Sequence, residues 1–111
     1  EVLKEFVYDK NKNFNISMIM KTVAGYFDIK VSDLKSKNRS RQISVPRQIA
    51  MYLCREYTKL SLPDIGRQFG GKDHTTVIFS HKKMTKIIKE KGELKKTVNK
   101  LVDIIESGKT L

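Results

Sequence analysis

A pair of glycines between two helix-forming segments is the feature that most constrains the fold of this chain. Gly70 and Gly71 follow a short segment with apolar residues at helical spacing, and the sequence after them keeps helical periodicity to about Glu90. Adjacent glycines allow backbone conformations that are costly for other residues, so the chain can turn sharply here. Asp73 can cap the next helix, because its carboxylate accepts the free N–H groups of the first turn. The pattern predicts a helix, a tight turn and a second helix over residues 74–90.

The second helix has two different faces. At about 100° per residue, the stripe that we expect to face the core consists of Val77, His81, Met84 and Ile88. The opposite face begins with short side chains, continues with lysines and contains no acid: Thr75, Thr76, Phe79, Lys82, Lys83 and Lys86. A helix that reads the major groove of DNA has small side chains at its N-terminal end and cations further along for phosphates. The alternative is a solvated lysine face with an ordinary cap.

Composition favours a polyanionic partner. The 111 residues suffice for one domain, and 23 basic against 12 acidic residues give a net charge of +11. Nucleic acid is the first candidate and an anionic membrane surface the second. Cys54 is the single cysteine, which excludes an internal disulfide, and we interpret it as a small hydrophobe. We find no apolar run of about 18 residues and expect a cytoplasmic, nucleoid-associated protein.

Periodicity and capping residues predict further helices around this pair, and hence an all-α fold. They cover Ser17 to about Phe27, one turn at 32–35, Val45 to about Lys59 with Pro46 in its first turn, a short helix capped by Ser61, and a last helix between Gly92 and Gly108. We interpret residues 1–14 as a connector from a preceding domain and residues 15–111 as the helical domain.

Two other segments are candidates for DNA contact. Residues 36–42 form a polar, basic loop, in which Arg39 or Arg41 would enter a narrow minor groove unless the loop is merely solvated. On the Val45 helix, one shared face would run along a phosphate backbone, and it consists of Arg47, Gln48, Met51 and Arg55.

Three other classes of function would use parts of the same sequence. Glycines before a helix can bind phosphate, but no strand precedes them and Lys72 lies outside the spacing of a nucleotide-binding loop. A hydrolase or metal site would use Asp73, His74 and His81, although a metal needs three or four converging ligands. A basic interaction module would bind anionic lipid or an acidic protein through the lysines between residues 82 and 100.

Residues 70–77, Gly-Gly-Lys-Asp-His-Thr-Thr-Val, resemble the signature of the C-terminal DNA-binding domain of the DnaA family, the bacterial initiators of chromosome replication. The likeness runs from Ile16 to about Ile105 and includes several motifs in order: Thr22-Val23-Ala24, Ser36-Lys37-Asn38-Arg39-Ser40-Arg41, Pro46-Arg47-Gln48-Ile49-Ala50-Met51 and Ser61-Leu62-Pro63-Asp64-Ile65-Gly66.

The resemblance implies an all-α domain with an extended, Trp-repressor-like helix-turn-helix that binds double-stranded DnaA boxes, which are A·T-rich sites at the replication origin. By matching position, Arg39 would lie in the minor groove, and the major-groove readers would be Asp73, His74, Thr75 and Thr76. The residues at the sugar-phosphate backbone would be Arg41, Arg47, Gln48, Arg55, Leu62, Pro63, Lys72, Phe79 and Lys83. Phe79 stands where many relatives have histidine, and Lys72 where arginine is common.

The resemblance also implies an ATP-binding AAA+ module before this domain. None of its motifs is in these 111 residues. We therefore expect no enzymatic activity, cofactor or metal in this chain, and ATP with Mg only in the intact protein. Replication regulators and anionic lipids are the other partners expected of the intact protein. We expect this domain to be monomeric.

Overall fold

Six helices make up the described part of the chain, residues 14–90 and 92–108 of a computed structural model. We number them α1 (Ile16–Tyr26), α2 (Val31–Leu34), α3 (Arg41–Tyr57), α4 (Leu62–Gln68), α5 (His74–Glu90) and α6 (Gly92–Ser107). The all-α fold is thereby confirmed. The predicted bounds of α5 and the predicted single turn at α2 are confirmed as well. The predictions for residues 1–13 lie outside the described residues.

Helix starts follow their capping residues, with two corrections to the predicted positions. Ser61 caps α4 as predicted, since its Oγ accepts the Asp64 N–H at 3.2 Å. The predicted cap Ser17 is wrong, because Asn15 Oδ1 accepts the Met18 N–H at 2.8 Å and starts α1 two residues earlier.

Helix α3 starts at Arg41, four residues before the predicted start at Val45. The Ser40 carbonyl already accepts the N–H groups of Ile43 and Ser44, at 3.0 and 2.7 Å. The first turn is therefore complete before Pro46, which lies inside the helix and is buried. Arg41, predicted in the basic loop, is an exposed residue of the first turn of α3.

Helix α3 is the centre of the domain and packs against α1, α2, α4 and α5, while α6 covers α1 and α5. The largest fully buried side chains come from all six helices and the turn after α4: Phe69, Ile19, Leu34, Ile49, Met51, Leu53, Ile65, Met84, Leu101 and Ile105. Phe14, the last residue of the predicted connector, is also in the core and stacks on Tyr57 with ring centroids 4.5 Å apart. Burying such a side chain stabilises the fold by about 1.5–3 kcal/mol.

The core face of α5 agrees with the predicted stripe in part. Val77 and Met84 are buried and Ile88 is half-buried, as the stripe predicts. Ser80 is also buried, although it lies outside the predicted stripe. The His81 side chain is 27% exposed, and its Nε2 lies 2.7 Å from Glu56 Oε2. His81 therefore lies at the margin of the core.

Candidate nucleic-acid interface

The turn between α4 and α5 requires glycine for two different reasons. Gly70 and Gly71 have φ values of +84° and +77°, a region that L-residues with a side chain rarely adopt. Gly66, inside α4, is needed for space, because a Cβ there would lie 2.1 Å from the Lys72 carbonyl oxygen. The Lys72 N–H in turn donates to the Gly66 carbonyl at 2.8 Å. These contacts pack the end of the turn against α4 and set the direction of α5.

The N-terminal end of α5 presents the four predicted major-groove readers at the surface. Asp73, His74, Thr75 and Thr76 are all exposed. Asp73 caps the helix as predicted, since its Oδ1 lies 3.4 Å from the Thr75 N–H and 3.0 Å from His74 Nδ1. A helix end with exposed carboxylate, imidazole and hydroxyl groups can hydrogen-bond to base edges.

The outer face of α5 continues this surface. Lys82, Lys83 and Lys86 are exposed, as the helical wheel predicted. Phe79 lies on the same face and is 62% exposed, which is unusual for a large apolar side chain. The face therefore combines positive charge with one apolar ring.

Arg39 lies in the loop between α2 and α3, and local hydrogen bonds define the shape of this loop. Ser36 Oγ accepts the Asn38 N–H at 3.2 Å, and Asn38 Oδ1 accepts the Ser40 N–H at 2.8 Å. Arg39 is exposed and shares a cleft of about 450 Å³ with residues of α3, the glycine turn and α5. The lining includes Lys37, Arg39, Gln48, Asp73, Thr76 and Ser80. The structure thus brings Arg39 together with two of the predicted base readers.

Arg47 lies in the interior, so the prediction that it is part of an exposed cationic edge is wrong. The residue is 6% exposed, and its guanidinium donates to four backbone carbonyls. The distances are 3.0 Å to Leu34, 2.8 Å to Asn38, and 3.0 Å each to Asp33 and Ser36. Desolvation lowers the pKa of Arg47. Arg47 therefore joins α3 to the end of α2 and to the loop that carries Arg39.

The other members of the predicted α3 edge have separate environments. Met51 is fully buried, whereas Arg55 is exposed. Gln48 is half-buried, and its Oε1 has no hydrogen-bond partner among the described residues. Helical spacing shows which residues share a face, but it does not show that the loop after α2 covers part of that face.

Lys72 directs its ammonium group into the domain. Its Nζ donates to the carbonyls of Ser36 and Phe69, both at 2.8 Å. Burial, and then the nearby charges of Arg47 and Lys37, lower the pKa of Lys72. A nucleotide-binding loop does not fit this geometry, because the lysine that would contact phosphate is hydrogen-bonded to the protein backbone.

Two of the residues predicted at the sugar-phosphate backbone of DNA lie at the start of α4. Leu62 is half-buried, and Pro63 is exposed.

The alternative metal or hydrolytic site would require Asp73, His74 and His81 to act together. His74 pairs with Asp73, whereas His81 pairs with Glu56 of α3. Across residues 14–90 and 92–108, no three His, Cys, Asp or Glu side chains lie where they could hold a metal ion together.

Cys54 is fully buried, and desolvation raises the pKa of its thiol to about 12. This agrees with its interpretation as a small hydrophobe.

Helix α4, the glycine turn and helix α5 form a helix-turn-helix. The exposed N-terminal end and the basic outer face of α5 are typical of a domain that binds DNA. The family described as bacterial dnaA protein helix-turn-helix matches residues 16–84, so the chain belongs to this family and is a DNA-binding domain, not an enzyme. The chromosomal replication initiator protein DnaA of Geobacter metallireducens is 54% identical over 101 residues, which are 91% of this chain and 22% of that protein. Its counterpart in Lactiplantibacillus plantarum is 52% identical over 98 residues, 88% of this chain and 22% of that protein.

The chain thus spans 22% of the length of these two relatives. Within the described residues, no helix is both long and apolar enough to cross a membrane.

Proposed function

We propose that this domain binds double-stranded DnaA boxes at a chromosomal replication origin, with α5 in the major groove and Arg39 in the adjacent minor groove. One observation carries the proposal. Arg39 lines the same cleft as Asp73 and Thr76, so a loop arginine and the N-terminal end of α5 are next to each other on the surface. A helix in the major groove with a basic arm in the neighbouring minor groove is an established way of reading duplex DNA.

The chemistry of each exposed group suggests its role. The Asp73 carboxylate can accept a hydrogen bond from cytosine N4, and the methyl groups of Thr75 and Thr76 can contact thymine methyls. The guanidinium of Arg39 suits the negative potential of a narrow, A·T-rich minor groove. His74 carries ring nitrogens at the same helix end and completes the proposed base-reading set.

Contacts with the sugar-phosphate backbone would position the domain without reading sequence. Among the proposed backbone residues, the exposed ones are Arg41, Arg55, Pro63, Phe79 and Lys83. We propose that Phe79 packs on a deoxyribose or a thymine methyl, because a phenyl ring cannot donate to a phosphate. Gln48 and Leu62 are half-buried and would contact the backbone through their outer atoms.

A fluorescence-anisotropy titration at about 150 mM salt tests the proposal, because affinity for DNA depends strongly on salt. The two duplexes are one DnaA box and a scrambled sequence of equal composition. We expect the box to bind at least about 10³-fold more tightly. Equal binding to both duplexes would instead favour a general polyanion-binding surface, and titration of anionic vesicles would then follow.

Replacing a base reader separates specific from nonspecific affinity. We expect Thr76→Ala or His74→Ala to lower the affinity for the box by roughly 1–3 kcal/mol and to leave binding to the scrambled duplex nearly unchanged. Thr97→Ala is a matched control, since it removes a helical threonine from α6. A loss that is equal on both duplexes would show that Thr76 and His74 do not read bases.

We further propose that the intact protein contains an ATP-binding module outside this chain, with ATP and Mg as its cofactors. Replication regulators and anionic lipids are proposed partners of that protein as well. The family membership of this domain supports the extension. Sedimentation velocity tests the remaining proposal, that the domain alone is monomeric, and a dimer at micromolar concentration would contradict it.

A further inference from the structure

One backbone carbonyl connects the two parts of the proposed interface. The Ser36 oxygen accepts hydrogen bonds from Arg47 Nη2 at 3.0 Å and from Lys72 Nζ at 2.8 Å. Ser36 belongs to the loop that carries Arg39, whereas Lys72 directly precedes Asp73 at the start of α5. The carbonyl therefore links the proposed minor-groove arginine to the proposed major-groove helix.

Lys72 is held at both of its ends. Its backbone N–H donates to the Gly66 carbonyl at 2.8 Å, and its ammonium donates to Phe69 as well as to Ser36. An ammonium group has three N–H donors, and two of them are thus taken up by backbone carbonyls. The burial that lowers the pKa of Lys72 agrees with a group that acts inside the domain.

A second contact joins the same loop and turn. A Cβ on Gly70 would lie 2.0 Å from the carbonyl oxygen of Lys35, the residue before Ser36. The glycine turn and the beginning of the Arg39 loop are therefore in direct backbone contact. With this support, a hydrogen bond from Lys72 can fix the position of the loop relative to α5.

We propose that Lys72 is a positioning residue, whose ammonium holds the Arg39 loop against the turn before α5 so that Arg39 and Asp73 enter their grooves in one register. The inference rests on the proposed function and gives Lys72 a role that does not require its own contact with DNA. A loop that is ordered before DNA arrives loses less conformational entropy on binding. Lys72 would thus raise affinity by preorganising Arg39.

A double-mutant cycle on a DnaA-box duplex tests the coupling between the two residues. We expect Arg39→Ala to weaken binding about tenfold or more in the otherwise unchanged chain. In a Lys72→Met background, where the loop is no longer held, the same change should weaken binding less than about threefold. Equal losses in the two backgrounds would overturn the proposal. Lys72→Arg keeps the charge and the donors, and we expect it to preserve the full effect of Arg39→Ala.

The matched control is the cycle of Lys83→Met with Arg39→Ala. Lys83 is an exposed lysine on α5 and makes none of the contacts with Ser36 or Phe69. Both lysine variants remove one positive charge and keep an apolar side chain. We therefore expect additive losses for Lys83→Met. A coupling as large as that of Lys72→Met would show that long-range electrostatics and not positioning connects these residues, which would overturn the proposal.

A measurement without DNA separates this inference from the proposed function. The ¹⁵N order parameter of the Arg39 amide should be about 0.85 in the unchanged chain and in Lys72→Arg, and below about 0.6 in Lys72→Met. If Lys72→Met does not fold, Lys72→Gln replaces it. An unchanged order parameter would overturn the positioning role. Failure of the unchanged chain to distinguish the box from the scrambled duplex would instead overturn the proposed function.

Discussion

The junction between the α2–α3 loop and α3 uses positive charge differently from the outer face of α5. At the junction, Arg47 is 6% exposed and donates to four backbone carbonyls, and one of these, that of Ser36, also accepts from Lys72. On α5, Lys82 and Lys83 are exposed. A cation that is surrounded by carbonyls stabilises the fold, whereas an exposed cation is available to a polyanion. Net charge alone therefore does not give the number of phosphate contacts.

The largest expected effect is that of Arg47→Ala on folding. The change removes the donor to the Leu34 and Asn38 carbonyls and one of the donors to the Asp33 and Ser36 carbonyls, and each unsatisfied buried group costs about 1–3 kcal/mol. Because the loop can take up water, we expect a total loss of about 3–5 kcal/mol in the free energy of unfolding, measured by urea denaturation. Arg55→Ala on the same helix is the matched control and should change stability by less than about 0.5 kcal/mol. Similar losses for both variants would remove the distinction between buried and exposed arginines.

The next largest effect is a difference in stability between substitutions at the two glycines of the turn. Gly70→Ala and Gly71→Ala both place a side chain at positive φ, which costs about 1–2 kcal/mol. A Cβ on Gly70 would also meet the Lys35 carbonyl, whereas a Cβ on Gly71 meets nothing within 4 Å. We therefore expect the free energy of unfolding, measured by thermal or urea denaturation, to fall by about 1–3 kcal/mol more in Gly70→Ala than in Gly71→Ala. Equal losses would mean that the loop and the turn are not in the close contact described above.

The thiolate of Cys54 would be a buried charge on α3 without the hydrogen-bond partners that Arg47 has. The pKa of its thiol is raised from 9.0 to about 12 by desolvation. Because the folded-state pKa lies above the unfolded one, this stabilising contribution is complete below about pH 9 and is lost as the pH rises towards 12. At pH 10.5 the expected loss is about 2 kcal/mol relative to pH 8.

The measurement for Cys54 is urea unfolding of the unchanged chain and of Cys54→Ala at both pH values. The variant lacks the thiol but keeps every other titrating group. We expect the stability difference between the two chains to shift by about 2 kcal/mol towards Cys54→Ala at the higher pH. A difference that is independent of pH would show that the thiol is not desolvated in the folded state.

The smallest effect concerns an exposed lysine of α5. We expect Lys83→Ala to weaken binding to all duplexes similarly and to reduce the slope of log affinity against log salt by about 0.9, the value for one phosphate contact. Lys95→Ala, on the exposed side of α6, is the matched control and should leave the slope unchanged. If both lysines changed the slope equally, the outer face of α5 would have no special role in binding.

Local features of the fold were predictable because their causes are local. Helix α5 begins after the Asp73 cap and runs to Glu90 as predicted, and the glycine turn before it has the expected positive φ values. The apolar stripe of α6 is buried at Val98, Leu101 and Ile105, and Gly108 follows its end with a φ of +72°. Capping, periodicity and backbone freedom each depend on residues within a turn or two of one another.

The presence of the helices, the glycine turn and the exposed N-terminal end of α5 thus follow from local sequence patterns. Packing of the folded chain, in contrast, buries Arg47, lets Lys72 join two segments and requires a small residue at Gly66. Each of these features depends on contacts between residues that are distant in sequence or on how the turn folds back. Ser36 and Lys72, for example, are separated by 36 positions in the sequence. Helical spacing states which side chains share a face, but only packing shows which faces are covered and where a carbonyl lies close enough to accept a hydrogen bond.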